Sequence, residues 1–219
     1  MGQPVRARTA PQHRRQAGSS GAAGLAGAAG VAGNEKLTAM TGAVLLLGFA
    51  VEGCTILAIH RLLFLHFVVG LLLIGPVVLK IGSTIYRFVG YYTHSAPYVR
   101  KGPPSPVLRV LGPLVVMTSV AVLGTGVMLA VAGRGNGPWL FLHKASFVLW
   151  FGVMTIHVLN YAPRLPGMLT AGYRREGGTL AAVPGSAARW LVLIASLAVG
   201  VAVAALTMHL STKWGFGGF

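Results

Sequence analysis

Three histidines lie inside apolar stretches, where an imidazole finds few partners: His66, His143 and His157. Ionisable or ligating groups at such places are costly to bury and point to function. His143 and His157 share the stretch from Trp139 to Tyr161, fourteen residues apart. That step covers about 21 Å of helix and returns within about 40° of its starting direction, so both rings share one face near opposite sides of a hydrocarbon layer roughly 30 Å thick. His66 lies in another apolar stretch, and His66 and His143 are each about four residues inside the same end of their segments, roughly 6 Å below a common surface. Two neutral imidazoles from different helices at one depth are the axial ligands a low-spin haem needs, and helical bundle cores hold such cofactors. The expected cofactor is one haem b between His66 and His143. His157 lacks the matching partner, because the residue fourteen after His66 is Lys80. A second haem there needs a ligand from elsewhere, such as His94 on a segment folded back toward the core. The competing reading makes each histidine a hydrogen-bonded packing residue.

Two further residues accompany the histidines. Gly70, one turn after His66, leaves space where a porphyrin plane would lie. Glu52 is the only acid expected inside the apolar layer, since Glu35 and Glu176 fall in a tail and a loop and the chain has no aspartate. A carboxylate near His66 and His143 can accept the N–H of a ligand imidazole's other nitrogen and orient it. It can also take the proton of a quinol. The alternative makes Glu52-Gly53 a turn in water.

The elements that must position these residues are membrane helices. Of 219 residues, 54% are hydrophobic and 10% charged, and the mean hydropathy is +0.71, far from a soluble domain. Five segments are long enough to span: Leu37 to Ile59, Leu62 to Arg87, Val110 to Ala132, Trp139 to Tyr161 and Arg189 to His209. Prolines and glycines mark every boundary but the first, where the reversal is placed at His60-Arg61 on length, with Glu52-Gly53 as the alternative. The expected fold is an all-α transmembrane bundle of five spans over residues 36–211, preceded by a disordered Gly/Ala/Arg-rich tail (1–35) and followed by a short outer tail (212–219). Arg14-Arg15 is not followed by a strong apolar region, so no cleaved signal is expected.

The formal charge of +15 comes from basic residues dispersed around the spans, which excludes nucleic acid as the expected partner and reads as topology. With five spans, thirteen Lys and Arg fall on the N-terminal side and four (Arg61, Arg134, Lys144, Lys213) on the other. The N-terminus is therefore expected inside and Phe219 outside, in a bacterial inner membrane. Lys80 is expected to snorkel to the inner headgroups beside Tyr86, Arg87, Tyr91 and Tyr92. Ser196, Gly200 and Ala204 form a small-residue face for close helix packing. One cysteine, Cys54, excludes an intramolecular disulfide and cysteine-built metal clusters.

The stretches 60–70 (HRLLFLHFVVG), 79–88 (LKIGSTIYRF), 100–104 (RKGPP) and 142–150 (LHKASFVLW) resemble a family of small uncharacterised bacterial membrane proteins, itself similar to four-helix b-type membrane cytochromes. The likeness covers about Leu37 to Tyr161. It implies a haem-binding electron-transfer bundle using His66, His143 and His157, possessing one extra span; Lys80 is the departure from a two-haem pattern. The function expected is electron transfer between a lipid-soluble donor such as quinol and a redox partner at the outer surface. Two other classes stand beside it: a transition-metal site of His60, His66, His143 and Glu52, and a non-redox membrane anchor for a partner. No nucleophile constellation, phosphate loop or cysteine-rich motif is present. Gly75-Pro76 is a single break of the kind transporters use.

Overall fold

The computed structural model describes residues 12–102, 106–133, 135, 137–170, 173–176, 179–182 and 185–215, without the side chains of 12–29, 101 and 173–182. The chain is all-α apart from one loop hairpin. Helices α1 (Gln12–Leu57), α2 (Ile59–Tyr92), α4 (Pro106–Ala132), α5 (Gly137–Tyr161) and α7 (Ser186–Thr207) are the long elements. The short α3 (Ala96–Lys101) and α6 (Leu165–Thr170) lie in the connections. Strands β1 (Tyr173–Glu176) and β2 (Thr179–Ala182) pair antiparallel in the loop before α7. Five helical stretches are long and apolar enough to cross a membrane: Gly30–Leu57, Ile59–Tyr92, Pro106–Ala132, Gly137–Thr170 and Ser186–Trp214. The architecture is that of a helical bundle compatible with a multi-pass membrane protein.

The first reversal falls at Ala58, two residues before the expected turn, with φ −135° and ψ 45° on that single residue. No proline or glycine pair forces it. Tertiary pairing does: α1 folds flat against α2, with Leu73 seated where a β-carbon on Gly48 would lie and Thr55 bonded to His66. Glu52 and Gly53 are both inside α1, so the alternative turn does not occur.

The bundle also begins earlier than composition suggested. Residues 12–35 belong to α1, and from position 30 they pack: Val31 is buried, Asn34 Nδ2 donates to the Ser83 carbonyl (3.0 Å), and Glu35 pairs with Arg87 (3.7 Å). Glycine weakens a helix in water, but in an apolar bundle small residues let backbones approach. Residues 1–11 of the expected tail lie outside the described residues. At the other end, Met208–Trp214 forms a 3-10 turn that caps α4: Lys213 Nζ donates to the Val131 carbonyl (2.8 Å) and Trp214 Nε1 to that of Ala130 (3.4 Å). These bonds satisfy carbonyls that a helix end otherwise leaves unpaired.

Helix α7 packs on α2 through the small-residue face, with Ser196, Gly200 and Ala204 all buried. The Gly200 β-carbon position is occupied by the Leu72 carbonyl oxygen, and that of Gly75 by the Ser196 carbonyl. Leu72 has an unclaimed carbonyl because residue 76, four positions on, is proline and has no N–H. Gly200 points its Cα–H at this oxygen, a weak hydrogen bond that recurs at close helix crossings. Helix α2 runs unbroken through Gly75-Pro76, so no pair of half-helices forms there.

The middle of the bundle is apolar. Leu45, Leu73 and Val77 are buried together, with Phe49, Val69, Ile81 and Leu123 packed around them. Trp150 is buried beside Phe49 (ring centres 4.7 Å apart), and its Nε1 donates to Ser119 Oγ (3.0 Å) on α4. At the far end of α2, the α3 residue Tyr98 is buried against Gly90 and Tyr86. Burial raises its phenol above the ordinary value and keeps it neutral.

Candidate cofactor site

His66 and His143 meet. They lie seven and six residues from the starts of α2 and α5, at a common depth of about 10 Å by helical rise. Their ring centres are 6.3 Å apart with planes at 70°. The helices α2 and α5 do not otherwise pack closely; α2 lies on α1 and α7, and α5 on α4. The two imidazoles thus meet between α2 and α5, while α2 also packs on α4 and Phe49 of α1 on Trp150 of α5.

Hydrogen bonds fix which nitrogen of each ring is free. Thr55 Oγ1 gives its proton to the Glu52 carbonyl (2.6 Å) and so accepts from His66 Nδ1–H (2.8 Å). Glu52 Oε1 is also 3.0 Å from this Nδ1. In His143, Nδ1 lies 3.1 Å from the Val122 carbonyl, which can only accept, so Nδ1 carries the proton there too. Thr125 Oγ1 stands 3.3 Å from the same nitrogen and 2.9 Å from Ser146 Oγ. Both rings therefore hold the Nδ1–H tautomer and keep the Nε2 lone pair for another partner.

Two imidazoles with engaged Nδ1–H groups and open Nε2 lone pairs have the donor chemistry that a haem iron would take. The Nδ1–H bonds to a carbonyl, a hydroxyl and a carboxylate are the outer partners that ligand histidines characteristically have. Glu52 sits on the Nδ1 side of His66, away from the free nitrogen, with Oε2 buried and unbonded. Among the described residues, no three His, Cys, Asp or Glu side chains gather to hold a metal ion, and His60 is exposed. A four-ligand site of His60, His66, His143 and Glu52 is thus not assembled.

The other expected residues divide. The space at Gly70 is taken by Glu52, whose Oε1 lies 3.0 Å from the β-carbon position, so this glycine admits the carboxylate to His66. Gly126 does the same for His143, whose Cε1 lies 3.0 Å from its β-carbon position. Among the described residues no histidine faces His157, whose ring lies against Tyr161 (4.8 Å between centres). His94 is exposed in the turn after α2, with φ 57°, and does not fold back. Lys80 does not snorkel outward. Its Nζ donates to the Thr38 carbonyl of α1 (2.7 Å), entering at Gly42, where side-chain bulk would block it.

No protein-family model, curated protein or solved structure matches this chain. Its function rests on its own residues.

Sequence reasoning missed Thr55, Val122, Thr125, Ser146 and Gly126. Ser146 alone carried a local signal, three residues after His143 on the same helical face. Thr125 and Gly126 belong to α4, and their meeting with His143 depends on a helix register that no spacing discloses.

Proposed function

We propose that this chain is a b-type cytochrome-like electron-transfer protein of a bacterial inner membrane, holding one haem b between His66 and His143. The observation that carries the reading is the pair of Nδ1–H tautomers with free Nε2 atoms at 6.3 Å ring separation on two helices that otherwise stand apart. Bound there, a haem supplies one-electron chemistry at a potential set by its ligands and their hydrogen bonds. The chain's own groups hold and tune: Val122 and Thr125 orient His143, and Thr55 and Glu52 orient His66. A lipid-soluble quinol is the donor and a protein at the outer surface the acceptor.

The test is a visible spectrum of the purified full-length protein, oxidised and dithionite-reduced. A Soret band and sharp reduced bands are expected; colourless protein from haem-replete cells refutes the proposal. The orienting bonds have their own readout. Thr55→Val combined with Glu52→Ala removes both acceptors of His66 Nδ1–H, and haem affinity should fall by about 10–100-fold. Unchanged haem retention would make both residues mere packing. Since no histidine faces His157 among the described residues, haem content per chain should be the same in wild type and His157→Ala; a fall by half would reveal a second haem.

Orientation follows from the charge asymmetry, with the N-terminus cytoplasmic. A reporter fused after Phe219 should read out on the external side, and a cytoplasmic readout would reverse the assignment of outer and inner ends.

A further inference from the structure

A tie formed by residues 208–214 links the helices that hold His66 and His143. Helix α7 is locked to α2, which carries His66, where Gly200 meets the Leu72 carbonyl and Gly75 that of Ser196. Helix α4 holds His143 through the Val122 carbonyl, Thr125 and Gly126. The 3-10 turn Met208–Trp214 continues α7 and ends on α4 at Ala130 and Val131, one turn beyond Gly126. Gly133, buried at φ 81°, closes α4 and lies against Lys213, whose Cβ is 3.3 Å from its β-carbon position.

Capping alone does not call for this arrangement. Val131 and Ala132 are exposed at the end of α4, where water can satisfy the last carbonyls. The donors come instead from 82 and 84 residues away, and what they add is a link between helices. Deeper in the bundle, α4 is already fixed to α1 and α2 by Leu123, which packs against Leu45, Leu73 and Val77. Leu73 lies seven residues after His66, about 10 Å further along α2. The histidines therefore stand between two points of attachment, the Leu123 layer and the tie.

The tie has little stability of its own. A 3-10 run of seven residues is longer than this geometry usually sustains, because its hydrogen bonds are poorly aligned. It is held by what it touches: Ser211 is buried, the Lys213 ammonium sits at the negative end of the α4 dipole, and the Trp214 indole donates beside it.

We propose that Lys213 and Trp214 are positioning residues for the His66–His143 pair, and that the 3-10 turn is a clasp whose release lets α4 and α5 move away from α2 and opens the site between the two rings. Its effect on haem rests on the cytochrome-like reading; the clasp itself does not.

The experiment measures a distance first. Spin labels at Leu57→Cys and Phe141→Cys, both exposed positions, in a Cys54→Ser background report the separation of α1 and α5 at the histidine end by pulsed electron resonance. Lys213→Met combined with Trp214→Phe removes both donors and keeps most of the bulk. In protein from haem-starved cells, the separation should lengthen by about 2 Å or more and its distribution broaden. Lys213→Arg alone can still donate and should keep the wild-type distance. In haem-loaded protein the double variant should release haem to apomyoglobin about 10-fold faster. Its low-spin electron resonance signal, which follows the angle between the ligand rings, should shift. A turn that merely adds stability would lower the unfolding temperature and leave distance and signal in place. Unchanged distances overturn the proposal, and so does a lengthened distance with unchanged haem release, which would leave the two residues no positioning role. If no preparation carries haem, the cytochrome-like reading fails and the distance alone decides the clasp.

Discussion

His66→Ala and His143→Ala should each yield a colourless protein, whereas wild type should show the spectrum of the proposed haem b. The two imidazoles come from α2 and α5 with ring centres 6.3 Å apart, and in the proposed reading each would supply one ligand to the iron. In the proposed reading, removing either would leave a single ligand. A T-shaped packing contact makes a different forecast: wild type would be colourless too, and each substitution would cost only the packing of one ring. Double substitution should add nothing to the spectral loss, since the pair acts as a unit. Bands that survive in both single variants would place the ligands elsewhere.

Gly200→Val should detach the last span. The new side chain would occupy the place of the Leu72 carbonyl oxygen, and no rotamer relieves a β-carbon that meets backbone. Helix α7 must then move away from α2, losing the buried face of Leu193, Ser196 and Ala204 and leaving the Leu72 carbonyl without a partner. Overpacking of this kind costs about 3 kcal/mol or more. Unfolding in mixed detergent micelles, followed by circular dichroism, measures it. Gly152→Ala serves as the control, because its β-carbon position is open, and it should stabilise α5 by about 0.5–1 kcal/mol through helix propensity. If the two substitutions behave alike, the α2–α7 crossing is not as close as described.

Long apolar runs made the five helices legible, since their length and composition report burial in lipid directly. The small-residue face of α7 was legible for the same reason: a four-residue spacing is a property of one helix. The depth match of His66 and His143 could be counted along two helices, but their contact required knowing which faces meet. Where one helix ends and the next begins was harder. Ala58 is an ordinary helix former, and the reversal there is imposed by contacts eleven or more residues apart, as between Thr55 and His66. Lys80 was misjudged because snorkelling is the usual escape for a lysine near a membrane surface. Gly42 and the Thr38 carbonyl offer an inward alternative that only the α1–α2 register creates.

The one-residue reversal at Ala58 also governs what the chain can tolerate. Connections between helices are normally where insertions do least harm. Here an added residue would turn α2 by about 100° relative to α1, carrying His66 away from Thr55 and Glu52 and Gly75 away from Ser196 at one stroke. Epitope tags, fusions or natural length variation should thus be accepted in the connection between α6 and α7, where the hairpin β1–β2 already elaborates the chain, and rejected at Ala58. The joint between the first two spans is a fixed gear rather than a loop.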